Sequence, residues 1–228
     1  MTRIKIFQPP FFLATALLLA GCDAIQSFLP PSSTAPANTL VYDAPVSLTI
    51  KKDSLLPGTT IAYGGRTETG AAKVLLAGVI APKKIADTLD WEGAPVANTK
   101  VKLTTRVISF DDNALTVGGT ARIELNNISI QPGGAAGTVM LEFAAPVSYT
   151  LIKGQAMPGS NIAFVGMSAD GAQFAGLQGF AFRKQLDSLE YDGRILPKVY
   201  LRLDLRVISF SADGAVLGGT ANIKLEAP

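Results

Sequence analysis

The sequence predicts an all-β protein built from two tandem homologous repeats, each an antiparallel β-sandwich or a small β-barrel. Three observations carry that prediction. The chain matches itself at a nearly constant offset, its apolar residues alternate with period two, and Gly, Pro and Asp turn signals punctuate it at short intervals.

The self-match comes first. Ala44-Pro45-Val46-Ser47 returns as Ala145-Pro146-Val147-Ser148, and Pro57-Gly58 with Ile61-Ala62-Tyr63 returns as Pro158-Gly159 with Ile162-Ala163-Phe164, all at an offset of 101. One residue is then lost and the offset becomes 100. Thr88-Leu89-Asp90-Trp91-Glu92-Gly93 answers Ser188-Leu189-Glu190-Tyr191-Asp192-Gly193, Arg106-Val107-Ile108-Ser109-Phe110 answers Arg206-Val207-Ile208-Ser209-Phe210, and Gly118-Gly119-Thr120-Ala121 answers Gly218-Gly219-Thr220-Ala221. The series defines a duplicated unit of roughly 85 to 90 residues, large enough to bury a core, though marginally. The repeats are placed at 41–130 and 142–228, joined by a Gly-rich linker at 131–141. Contact across an internal pseudo-two-fold and an end-to-end arrangement both remain open.

Within each unit the period is two. Val199, Leu201, Leu203, Leu205 and Val207 alternate with Tyr200, Arg202, Asp204 and Arg206, and Val101, Leu103, Thr105 and Val107 keep the same parity in the first copy. Each series reads as a long strand with one buried face. Ile108 with Phe110, and Ile208 with Phe210, fall on the opposite parity, so a bulge or burial on both faces is expected near Val107 and Val207. Asp111-Asp112-Asn113 and Ser211-Ala212-Asp213-Gly214 supply turns before Leu115 and Val216 resume the pattern, which predicts hairpins. Further strands are predicted at Val46 to Ile50, Thr60 to Tyr63, Lys73 to Ile80, Leu89 to Trp91 and Thr120 to Leu125. The best helical candidates, Lys83 to Thr88 and Lys184 to Ser188, allow one or two turns.

The N-terminus reads as an address. Arg3 and Lys5 precede the apolar run from Phe11 to Ala20, which is too short to span a bilayer comfortably. The run ends in Leu19-Ala20-Gly21-Cys22, which resembles the lipobox of bacterial lipoproteins. That resemblance implies a signal peptide at 1–21, cleavage before Cys22, and a diacylglycerol thioether on the Cys22 sulfur. Cys22 is the only Cys in the chain. Acyl methylenes contribute about 0.8 kcal/mol each on entering a bilayer, so two or more chains anchor stably. The implied location is extracytoplasmic and lipid-anchored, on the periplasmic side or the cell surface. Residues 22–40 carry a Pro, Ser and Thr-rich stretch that reads as a tether, able to span roughly 50 Å when extended. Removal of Arg3 and Lys5 takes the 20 basic residues to 18, equal to the 18 acidic ones. A neutral mature chain offers no electrostatic basis for binding nucleic acid.

The absence of His removes imidazole bases and ligands, and one Cys removes intrachain disulfides and multi-thiolate metal sites. No Ser-x-x-Lys, Gly-x-Ser-x-Gly or phosphate-cradling motif occurs in the mature chain. The sequence therefore predicts no catalytic residue, no cofactor and no metal. The leading expectation is a non-enzymatic binding or structural protein of the cell envelope, with an envelope protein or a glycan as partner. One alternative is a carrier of lipid or another hydrophobe, with Phe174, Leu177, Phe180 and Phe182 lining a cavity. A less favoured one is a carboxylate-dependent hydrolase using Asp87 with Asp90, or Asp187 with Glu190, beside Trp91 or Tyr191. Alternation opposes it by placing Leu89 and Trp91 on one face and Asp90 and Glu92 on the other, as expected of an exposed edge leading into a Glu-Gly or Asp-Gly turn. Arg106 and Arg206 are expected to pair with an acid across strands.

Overall fold

The computed structural model describes residues 38–227. Among them there is no helix, and the sheets are antiparallel and not closed into a barrel. The first repeat comprises β1 (Thr39–Lys51), β2 (Ser54–Leu55), β3 (Ile61–Arg66), β4 (Ala72–Leu76), β5 (Val79–Lys83), β6 (Trp91–Gly93), β7 (Thr99–Phe110) and β8 (Ala114–Asn126). A short strand, β9 (Gln131–Pro132), follows. The second repeat comprises β10 (Val139–Ile152), β11 (Ala163–Ser168), β12 (Gly171–Ala175), β13 (Phe182–Arg183), β14 (Ser188–Leu196), β15 (Val199–Phe210) and β16 (Gly214–Glu226).

Each repeat has one large and one small sheet. The large sheets run β1-β8-β7-β6 and β10-β16-β15-β14-β9, and the small ones β2-β3-β4-β5 and β11-β12-β13. Register repeats with the sequence: Ala44 faces Ala121 and Pro45 faces Thr120 in one copy, as Ala145 faces Ala221 and Pro146 faces Thr220 in the other. β1 and β10 are edge strands, where a proline removes no ladder donor. The expected irregularity is a bulge, between Val107 and Ser109 and between Val207 and Ser209. It turns Ile108 and Ile208 outward, 55% and 44% exposed.

The long hairpins explain how the repeats meet. β7, β8, β15 and β16 have 12 or 13 residues, roughly 40 Å at 3.4 Å per residue. The small sheets, with strands of at most six residues, cannot cover that length. At the hairpin-turn end the own small sheet does so, and Tyr63 of β3 donates its hydroxyl to the carbonyl of Asp111. At the other end the sister repeat takes over, with β1 packed on β10. A Cβ at Gly58 would stand 3.2 Å from Met140 of the second repeat, and one at Gly159 would stand 2.9 Å from Leu40 of the first. This reciprocity is that of a pseudo-two-fold. Tyr42 and Tyr149 meet in the same interface, where burial, then each other's proximity, raises Tyr42 well above the usual phenol range. The apolar residues of both repeats form one continuous core.

Three local expectations need correction. Lys73 to Ile80 is two strands of a hairpin, because Ala77 and Gly78 both take positive φ, 49° and 84°. The two helical candidates are tight turns. Asp87 Oδ2 accepts from the Lys84 amide, Asp187 does the same for Lys184, and Ala86 and Leu186 adopt φ of 70° and 69°, which stops a helix. Glu92-Gly93 and Asp192-Gly193 lie within β6 and β14 rather than in turns. Those glycines are required because the Trp91 and Tyr191 rings fold back over them, leaving no room for a Cβ.

Candidate functional site

The acids singled out by the sequence are placed by backbone needs. Asp87 and Asp187 cap their turns, and the Asp87 and Asp187 carbonyls also accept from the Val107 and Val207 amides. Asp90 Oδ1 accepts from the Thr105 amide at 3.0 Å. Its counterpart Glu190 is exposed, with Arg202 at 3.8 Å. Leu89 is buried while Asp90 and Glu92 are exposed, so alternation holds. Arg106 and Arg206 correct their expectation: they donate to the carbonyls of Ala86 and Leu186 at 3.0 and 2.9 Å, closing the left-handed turn. A carbonyl left outward by that turn needs a donor, and the arginine one strand away supplies it.

The four apolar residues proposed for a cavity do not share one. Phe174 is buried and packs edge-on against Phe164, with centroids 5.7 Å apart. Leu177 leans on the core from its margin. Phe180 is 67% exposed and forms a surface pair with Phe182, centroids 5.5 Å apart. Cys22 lies outside the described residues. Among the described residues, no group of three or more His, Cys, Asp or Glu is placed to hold a metal ion.

The informative place is where the repeats differ. In the first, β4 and β5 are joined by the tight Ala77-Gly78 turn and pair along their whole length. In the second, pairing with β12 is reduced to Phe182 and Arg183, and the loop between Ala175 and Phe182 splays outward with Gly176 and Gly179 at positive φ. A Tyr at 191 also replaces the larger indole of Trp91. Between this loop, β14 and β9 lies a groove of about 370 Å³, lined by Asn161, Gln178, Ser188, Glu190 and Asp192 over a floor of Ile162, Leu177 and Tyr191.

Arg183 forms one wall. Its Nε donates to the Ser188 carbonyl at 2.9 Å, and Nη1 donates to the carbonyls of Phe180 and Phe182 at 2.5 and 2.9 Å. The guanidinium thus holds the splayed loop open, and among the described residues it makes no ion pair. Beyond it lies a shallow depression of similar volume flanked by Phe180 and Phe182. Tyr191 is 5% exposed, and its hydroxyl has no hydrogen-bond partner among the described residues. Burial, then the nearby Asp192, pushes its pKa up, so it is a neutral phenol. Asp192, which lines the groove, accepts at Oδ1 from the Tyr200 hydroxyl at 3.0 Å.

Sequence reasoning named Tyr191, Glu190, Phe180 and Phe182 for other roles and did not single out Asn161, Gln178 or Arg183 as site residues. The available signal was the divergence of Gly176-Leu177-Gln178-Gly179 from Leu76-Ala77-Gly78-Val79 within otherwise matching repeats. Comparison of the chain with protein-family models, with curated proteins and with solved structures gave no match.

Proposed function

We propose that the chain is an extracytoplasmic lipoprotein, anchored through Cys22, whose duplicated β body is a non-enzymatic binding module of the cell envelope. The observation that carries the binding role is the groove of the second repeat. It gathers Asn161, Gln178 and Ser188, whose side chains make no hydrogen bond among the described residues, beside Glu190 and Asp192, whereas Asp87, Asp90 and Asp187 are each engaged by a backbone amide. Exposed polar groups gathered on a rigid frame, with an apolar floor, are the usual make-up of a binding site. Duplication fits the division of labour. The first copy keeps its hairpin closed and supports the second, which has opened one.

The anchor is tested by feeding cells a clickable fatty acid. The chain is expected to take label and sediment with membranes, and Cys22→Ala to lose both; retention of label by that variant would refute the anchor. The binding role is tested by a photo-crosslinker placed at Gln178 in living cells. It should give discrete adducts absent when the crosslinker sits at exposed Lys51 of the first repeat. Identical patterns from the two positions would reject it.

A further inference from the structure

We infer that the second-repeat groove and the adjoining Phe180 and Phe182 surface bind a neutral oligosaccharide. This rests on the binding-module reading and names its ligand class. The groove presents hydrogen-bonding capacity of both senses. The side chains of Asn161, Gln178 and Ser188 make no hydrogen bond among the described residues, Arg183 Nη2 is an unused donor beside them, and Glu190 and Asp192 offer acceptor oxygens. A hydroxyl both donates and accepts, so a polyol can use every one of these groups.

Local charge disfavours an anion. Glu190 and Asp192 line the groove against one guanidinium, Arg183, because Arg202 stands outside the lining and is held by Asp204 at 2.8 Å, closer than Glu190 at 3.8 Å. Around the adjoining depression Asp170 and Asp187 stand with Lys184. A phosphate or carboxylate ligand would confront two carboxylates, and a cation would confront the guanidinium that forms the wall. The floor of Ile162 and Leu177 suits the C–H face of a sugar ring. Phe180 is independent support. A Phe 67% exposed, tilted 50° against a second ring, lies where the groove continues past Arg183. An aromatic face beside a polar groove is a platform for the next residue of a glycan. An extended peptide fits less well, because β9 lines the groove with Pro132, which has no N–H with which to continue a ladder.

The test uses the lipidated protein in a sugar-free detergent, titrated calorimetrically with maltotetraose, mannotetraose and chitotetraose, and with tetragalacturonate and a neutral octapeptide for contrast. At least one neutral tetrasaccharide should bind. Gln178→Ala and Phe180→Ala, both at exposed positions, should each weaken it about tenfold with unchanged melting temperature, the loss of one good contact. Tyr191→Trp, which imports the indole of the first repeat, should abolish it. Failure of all three neutral sugars to bind, or equal affinity in the Gln178 and Phe180 variants, would overturn the proposal. Preference for tetragalacturonate or for the peptide would overturn the ligand class while leaving the binding module standing. Failure of the anchor is read separately, from the fatty-acid label.

Discussion

A Cβ on Gly119 would fall well inside van der Waals contact of the Thr104 carbonyl oxygen, and one on Gly219 would collide in the same way with that of Asp204. A Cβ on the neighbouring Gly118 or Gly218 would come closest to the side chains of Ile108 and Ile208, at 3.2 and 3.3 Å, with the nearest backbone oxygens at an ordinary 3.6 and 3.9 Å. The duplicated Gly-Gly is therefore two different constraints. The first glycine accommodates a movable side chain beside the bulge, and the second admits a backbone that cannot retreat without breaking the ladder. Gly119→Ala is expected to cost about 3 kcal/mol and Gly118→Ala less than about 1 kcal/mol. Urea unfolding, read as a change of midpoint at constant slope, checks the difference. The switch of parity at Ile108 and Phe110 made the bulge legible. The distance from Gly119 to β7 was not legible, because it is a contact between backbones that carry no pattern of their own.

The connection between the repeats is held as an element by charge. Glu226 is 8% exposed, forms a bidentate pair with Arg194 at 2.7 and 2.9 Å, and accepts from the Gly137 amide at 2.7 Å. Arg194, followed by the Gly137 amide, draws the Glu226 pKa below its ordinary range. A carboxylate depressed by folding contributes stability above its unfolded pKa, and that stability drains away as pH falls through the lower folded value. The expected result is therefore an acid-side loss of stability that Glu226→Gln abolishes, at a cost near neutral pH of about 2 kcal/mol. Chemical denaturation at a series of pH values reads both. On the same connection, the Tyr200 hydroxyl lies 3.0 Å from both the Gly134 carbonyl oxygen and Asp192 Oδ1, which share its one proton, and the side chain is buried although its parity placed it on the polar face. Tyr200→Phe should speed exchange of the Gly133 and Gly137 amides, measurable by NMR, without moving the amides of β7 and β8. Arg106, Arg206, Asp87 and Asp187 act at this scale too. Alternation put the two arginines on the polar side and the two aspartates fell in the helical candidates, but no pattern in the sequence could reveal that the partners of all four are main-chain groups of a left-handed turn.

At the scale of the molecule, one core runs through both repeats, and each repeat packs on its own small sheet and, through β1 and β10, on its sister. Cooperative unfolding of residues 38–227 follows, since neither half can lose its partner without exposing Leu40, Tyr42, Leu141 and Phe143. Calorimetry should give a single transition with matching calorimetric and van't Hoff enthalpies. Leu40→Ala, in the first repeat but against Gly159 of the second, should lower that transition as a whole, by about 3 kcal/mol. Two separate transitions, with only one shifted, would contradict the shared core.

The sequence alone determined the class of the protein, the duplication, the parity of its long strands and the positions of its bulges. These are consequences of a two-residue period and of turn residues, which act over a few neighbours and repeat faithfully in both copies. Tertiary structure decided how the copies meet, because the packing of β1 on β10 joins residues about a hundred positions apart and depends on hairpin length exceeding that of the small sheets. It also decided which copy carries a groove. Loss of a tight turn at Ala77-Gly78 and replacement of Trp91 by Tyr191 are small changes along the chain, and they become an open site only where loop, strand and linker come together in space.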